Sequence, residues 1–174
     1  MYTNKYDFQC MNAIKIILRN SEGKVLLIQE PENNNWMPLH WGLPGGKPTE
    51  TESLLETFQR KVKTDIGQNA ELKGLFSVKE LIMDHKTVLM YIVVAECTKD
   101  EVSGEAKEYK WMDKSDIEKM QIKEFTEFFN KNLLMEYFAN PNKIIPFNFF
   151  DTYEYYKMGN DIAYNEWFKS GTKN

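Results

Sequence analysis

Cysteine is nearly absent: the 174 residues contain two, Cys10 and Cys97. Far apart and each set in an apolar run, they exclude a disulfide framework and read as buried free thiols in a reducing compartment. Histidine is equally scarce, and His40 and His85 lack partners at metal-ligand spacing, so both are expected to be structural. No block of Lys or Arg is long enough to form a basic footprint, and the net charge is -4, so nucleic acid is not an expected partner. No apolar run approaches a membrane span, and Met1 to Asp7 carries no basic-then-apolar signal. The cytoplasm is therefore the expected location, with no membrane partner. What remains is a chain with 42% hydrophobic and 28% charged residues, enough for one globular domain with a real core.

Hydrophobic patterning divides the chain into alternating strands and helices. Residues 8–18 (FQCMNAIKIIL) read as a strand, Asn20-Ser-Glu-Gly23 as a turn, and 24–29 (KVLLIQ) as its hairpin partner. Residues 31–38 are polar and form a loop. Leu54, Phe58, Val62 and Ile66 recur every fourth residue, with Leu55 beside them, which predicts a helix with one apolar face. Thr49 or Thr51 is its expected N-cap, and Gly67 its stop. Two strands, 72–82 and 86–96, should pair antiparallel across Met83-Asp84-His85. Residues 98–107 read as a loop, 108–112 as a short strand, Asp113-Lys-Ser-Asp116 as helix caps, and 123–138 as a longer aromatic-rich helix. This order predicts a mixed α/β sandwich rather than a parallel doubly wound sheet.

The segment from Gly46 to Gln68 resembles the Nudix box, G-x5-E-x7-R-E-U-x-E-E-x-G-U, where U is a bulky aliphatic. Gly46, Glu52, Arg60, Val62 and Gly67 fall at the required spacing. Trp41-Gly-Leu-Pro-Gly-Gly46 is also how many family members enter the box. Starting the frame at Gly45 would put Thr51 where the glutamate belongs, so only one register works. The resemblance covers residues 8–138 and implies the Nudix fold, a mixed β-sheet sandwiched between helices, over residues 1–140. It also implies a small-molecule nucleotide or other diphosphate compound as substrate, with Mg²⁺ or Mn²⁺ if the protein is active. A glycine-rich loop lets the backbone approach a phosphate, which assigns Gly45 and Gly46. Carboxylates three and four apart on a helix can share divalent cations, which orient a pyrophosphate and acidify an attacking water.

The chain departs from the box where the cations would bind. R-E-U-x-E-E appears as Arg60-Lys61-Val62-Lys63-Thr64-Asp65, so three positions that normally hold glutamates carry Lys61, Thr64 and Asp65. At about 100° per residue these lie together beside the apolar face, and their summed charge changes from -3 to 0. A divalent ion about 5 Å from the Lys61 ammonium would be repelled by roughly 6–7 kcal/mol at an effective dielectric of about 20, before rotation and water reduce the figure.

Asp65 is either a surviving metal ligand, helped by the Gly46 carbonyl, or a solvated carboxylate near a helix end. Lys61 is inert surface, a phosphate-binding cation in place of the metal, or a catalytic group. Glu105 and Glu108 stand where the family often supplies a further ligand or base, and each is otherwise an exposed charge. By resemblance, Asp65, Glu105 and Glu108 form the catalytic set, Asp65 and Gly46 the metal set, and Glu52, Arg60 and Gly67 the structural brace. Phe58 replaces a commonly small residue and reads as a core aromatic.

Residues 137–168 hold 11 of the 24 aromatics. The extension over 141–174 is therefore either a stacking lid over a base or, preferentially, added core or a homodimer contact. Two functions follow. One is a hydrolase of nucleoside diphosphate-linked compounds, attenuated by the degenerate box. The other is a non-catalytic module that binds a nucleotide or phosphate with no cofactor.

Overall fold

The computed structural model describes residues 9–84 and 86–147. Strand β1 (Gln9–Arg19) and β6 (Lys86–Cys97) run parallel side by side over their whole lengths, from Gln9 opposite Lys86 to Arg19 opposite Glu96. Both are apolar enough to be covered on two faces, as a central parallel pair requires. β5 (Ala70–Met83) pairs antiparallel with β6, as their spacing predicts. On the other side, β2 (Val25–Gln29) forms a hairpin with β1 and accepts both β3 (Trp41–Gly42) and β7 (Glu108–Met112). β4 (Gly45–Gly46) pairs with Ile14 and Lys15 of β1. The result is a seven-stranded mixed sheet.

Strand alternation divides β1 between two cores. Ile14, Ile16 and Leu18 pack on one face with Phe58, Val62 and Ile66. Ala13 and Ile17 pack on the other with Ile117, Phe125, Leu133 and Tyr137. Helices therefore cover both faces, as the α/β sandwich reading requires. Phe58 is buried in the first of these cores, the ordinary core aromatic its position predicts.

Several expectations need correction. The helix over residues 54–66 is two structures: α1 (Leu54–Lys61) and a π-helical turn (Val62–Ile66). Its N-cap is Ser53, not Thr49 or Thr51. The Ser53 hydroxyl accepts from Glu56 N–H and the Glu56 carboxylate accepts from Ser53 N–H, a reciprocal pair at the first turn of α1. Leu55 is 41% exposed and lies off the apolar face.

The long helix predicted over 123–138 is broken into a 3₁₀ turn (Ile122–Glu124) and α3 (Asn130–Ala139). Between them Phe125 is pulled into an extended bridge with Trp41, and Thr126 N–H donates to Trp41 O at 2.9 Å, an ordinary hydrogen-bond length. α2 (Lys114–Lys119) is capped by Asp113 with Asp116, as expected. Both cysteines are free, but Cys10 is exposed rather than buried because it lies near the start of β1, and Cys97 is only half-buried.

After α3 the chain turns back, and Ile145 exchanges two 2.8 Å backbone hydrogen bonds with Leu75. Tyr137 and Phe138 belong to α3, where Tyr137 meets the Phe76 ring edge-on. The remaining aromatics of the extension beyond Phe147, and His85, lie outside the described residues.

Candidate functional site

The site is built where β4 and the π turn meet. Gly45 is held against β1 with φ +147°, and a Cβ there would lie 2.1 Å from the Ile14 carbonyl oxygen. Only glycine fits this position, because its backbone lies against β1. Gly45 N–H donates to Asp65 Oδ2 at 3.0 Å, which ties the loop to the helix.

The brace expected of the box is present. Arg60 Nε donates to Glu52 Oε1 at 2.6 Å and Arg60 Nη2 to Glu52 Oε2 at 2.8 Å, a two-pronged contact. Arg60 Nη2 also donates to Lys47 O at 3.0 Å, so the guanidinium joins helix, loop and carboxylate. The Arg60 hydrogen bonds, followed by that from Thr49 N–H, hold the Glu52 carboxyl down to about 2. Gly67 closes the π turn in the left-handed conformation, φ +77°, its N–H on Lys63 O at 3.1 Å.

Lys61, Thr64 and Asp65 come together as their spacing predicts. Lys61 Nζ lies 2.5 Å from Asp65 Oδ1, and the Thr64 hydroxyl donates to the same oxygen at 3.0 Å. With Gly45 on Oδ2, both carboxylate oxygens are engaged. Asp65 is 8% exposed, so the solvated alternative is overturned. The Lys61 stem lies over the Gly45–Gly46 loop: a Cβ on Gly46 would meet its Cδ and Cε at 3.2 Å.

The donor set does not fit a multi-cation centre. Among the described residues no three His, Cys, Asp or Glu side chains are grouped to hold a metal. Asp65, the one carboxylate left on this flank, already carries an ammonium on Oδ1. Glu105 is brought close by the backbone, because Glu105 N–H donates to Thr64 O at 3.0 Å and Ser103 N–H to Ile66 O at 3.1 Å. These bonds satisfy carbonyls at the end of the π turn. Glu108 lies on the exposed part of β7, 3.7 Å from Lys110, and is not part of the cavity wall.

Gly45, Gly46, Lys61, Asp65 and Glu105 all line one cavity of about 620 Å³. Its charged residues are Lys15, Lys47, Lys61 and Lys86 against Glu30, Asp65, Glu105 and Glu127, four of each sign, so it has no surplus of carboxylate. Its wall also carries apolar side chains, among them Met11, Leu81 and Met90. A pocket lined by both charged and apolar groups suits an amphipathic small molecule.

Sequence reasoning missed one feature of that wall. Lys15 Nζ pairs with Glu127 Oε1 at 2.7 Å, both side chains 13% exposed. Glu127 also accepts from Asn130 Nδ2 at 2.7 Å and from the Thr126 hydroxyl. Burial pushes the Glu127 carboxyl up, but the Lys15 charge and these hydrogen bonds outweigh it and hold the group below its ordinary range. The available signal was Lys15 itself, a lone cation inside the apolar run Ala13 to Leu18. His40 Nδ1 meets Pro38 O at 2.7 Å, a local loop contact.

Comparisons with known proteins bear on the sequence and on the fold. The family model described as NUDIX domain matches residues 11–134. A MutT protein from Methanosarcina mazei Go1 superposes with a TM-score of 0.65 at 25% identity, covering 78% of this chain and 97% of that one. A NUDIX hydrolase from Nitrosomonas europaea superposes at 0.67 with 14% identity, covering 83% and 98%. A NUDIX-family hydrolase from Clostridium perfringens gives 0.57 at 17% identity, covering 78% and 99%. No curated protein matches the chain. Among the described residues no helix is long and apolar enough to cross a membrane.

Proposed function

From the premise that this chain belongs to the NUDIX family, we propose that it binds a nucleotide or other diphosphate-bearing small molecule, with hydrolysis attenuated. The observation that carries this reading is the Lys61–Asp65 contact on the wall of the 620 Å³ cavity. The loop, the helix flank and the brace keep the family's frame, so a phosphate still has a place to lie. The flank's charge is that of an ion pair rather than a carboxylate cluster. The apolar side chains of the lining, among them Met11, Leu81 and Met90, would take the organic part of the ligand.

A second reading rests on Glu105, held near Asp65 by the Thr64 carbonyl. Displacing Lys61 would leave Asp65, Glu105 and the Gly46 carbonyl as donors for one Mg²⁺ or Mn²⁺, and a slow hydrolase would result.

The test is a panel of nucleoside triphosphates, dinucleotides and sugar nucleotides, followed by calorimetry for binding and by product release for turnover. Binding with turnover near background supports the binding module. Rapid metal-dependent turnover that disappears in Asp65→Ala would replace it with the enzyme.

A further inference from the structure

We propose that the Lys61 ammonium is a built-in substitute for the divalent cation: it occupies the cation's place and meets the ligand's phosphate without metal. The inference deepens the nucleotide-binding reading and rests on it for the ligand, though not for the displacement of the cation.

Three observations place Lys61 in this role. An ammonium has three donors, and Asp65 Oδ1 takes one at 2.5 Å, leaving the others for a ligand. The side chain is 21% exposed and lines the cavity, so those donors are accessible. Its stem lies over Gly46, where a side chain would crowd Cδ and Cε at 3.2 Å, so the loop's glycine leaves the ammonium room beside the backbone.

Asp65 is then a positioning residue. Fixed by Gly45 N–H and the Thr64 hydroxyl, it anchors Lys61 from behind, and both of its oxygens already hold a donor. An incoming cation would have to take Asp65 from an ammonium already in contact with it. A phosphate, by contrast, meets a positive charge whose orientation is fixed before binding.

The experiment has two arms. In the first, ADP and inorganic pyrophosphate are titrated into the full chain in EDTA and again in Mg²⁺. Wild-type affinity is expected to be unchanged by EDTA. Lys61→Met, which keeps the stem, should weaken binding roughly ten- to hundredfold, the loss of one charge-assisted contact, and Lys61→Arg should restore much of it. Binding abolished by EDTA, or unaffected in Lys61→Met, overturns the proposal.

In the second arm, Mn²⁺ alone is titrated and followed by its paramagnetic signal. Wild type should show no site, and Lys61→Glu/Thr64→Glu should acquire one. Equal Mn²⁺ affinity in wild type and in the folded double variant overturns the displacement outright. Failure of both probes to bind in either buffer would overturn the nucleotide reading. The Mn²⁺ arm would still decide whether Lys61 excludes the cation.

Discussion

Removing the Glu127 carboxylate should destabilise the domain far more than removing an exposed one, because of what it leaves behind. Lys15 and Glu127 are each 13% exposed and 2.7 Å apart, in the wall of the cavity. Glu127→Ala would strand the Lys15 ammonium there and remove the acceptor used by Asn130 and Thr126. Breaking a buried pair from one side costs about 3 kcal/mol or more. For a chain of this length that lowers Tm by roughly 6–12 °C. Glu127→Gln retains an acceptor and should lose about 1–2 kcal/mol. Lys15→Met with Glu127→Leu removes both charges and should return to within about 1 kcal/mol of wild type. Glu32→Ala is the control: Glu32 pairs with Lys107 at 2.6 Å but is 72% exposed, so the change should leave stability close to that of wild type.

The same pair has a pH signature. The folded Glu127 carboxyl is held below its ordinary 4.5, so its charge contributes stability that is full above that value. The contribution is lost as pH falls through the depressed folded value. The gap between wild type and Glu127→Gln should therefore be constant near neutrality and close in acid. Urea unfolding monitored by circular dichroism across that range measures both effects. Glu127→Ala unfolding at the same urea concentration as Glu32→Ala would refute the reasoning.

Three further outcomes follow from the site's frame. Ser53→Ala removes the N-cap acceptor of α1 and should cost about 1 kcal/mol in urea unfolding. Gly45→Ala would drive a methyl to within 2.1 Å of the Ile14 carbonyl at φ +147° and should cost about 3 kcal/mol, visible as a large fall in Tm. Glu52 titrates at about 2 against an ordinary 4.5, so its bond to Arg60 is present above 4.5 and is lost as pH falls toward 2. Glu52→Gln should flatten that part of the acid unfolding curve.

What was legible in the chain follows from how each signal is encoded. The central strands were readable because burial on two faces demands continuous apolar runs such as Ile16 to Leu18 and Ile92 to Ala95. The box was readable because Gly46, Glu52, Arg60 and Gly67 are held at fixed separations by one loop and one helix. The pairing of Lys15 with Glu127 was not readable, because its partners lie 112 positions apart in sequence (127 − 15) and meet only after β1 and the turn before α3 pack together. The break in the 123–138 helix was hidden for a similar reason. Trp41, which draws Phe125 and Thr126 out of helical geometry, lies in the distant strand β3.

The π turn had a local signal, and it bears on chemistry. Leu54, Phe58, Val62 and Ile66 are spaced strictly by four, whereas an α-helix would drift across that interval. The wider turn over Val62–Ile66 keeps Val62 at 2% and Ile66 at 0% exposure on one core. That same turn sets Thr64 and Asp65 beside Lys61, and its end carbonyls draw in the segment that carries Glu105. The core therefore maintains the frame of the site, whereas its chemistry rests on side chains of the opposite flank that contribute little to packing. Charge can reverse at position 61 with the fold intact, so membership of the family fixes the frame of loop and helix but leaves the chemistry beside it to the flank.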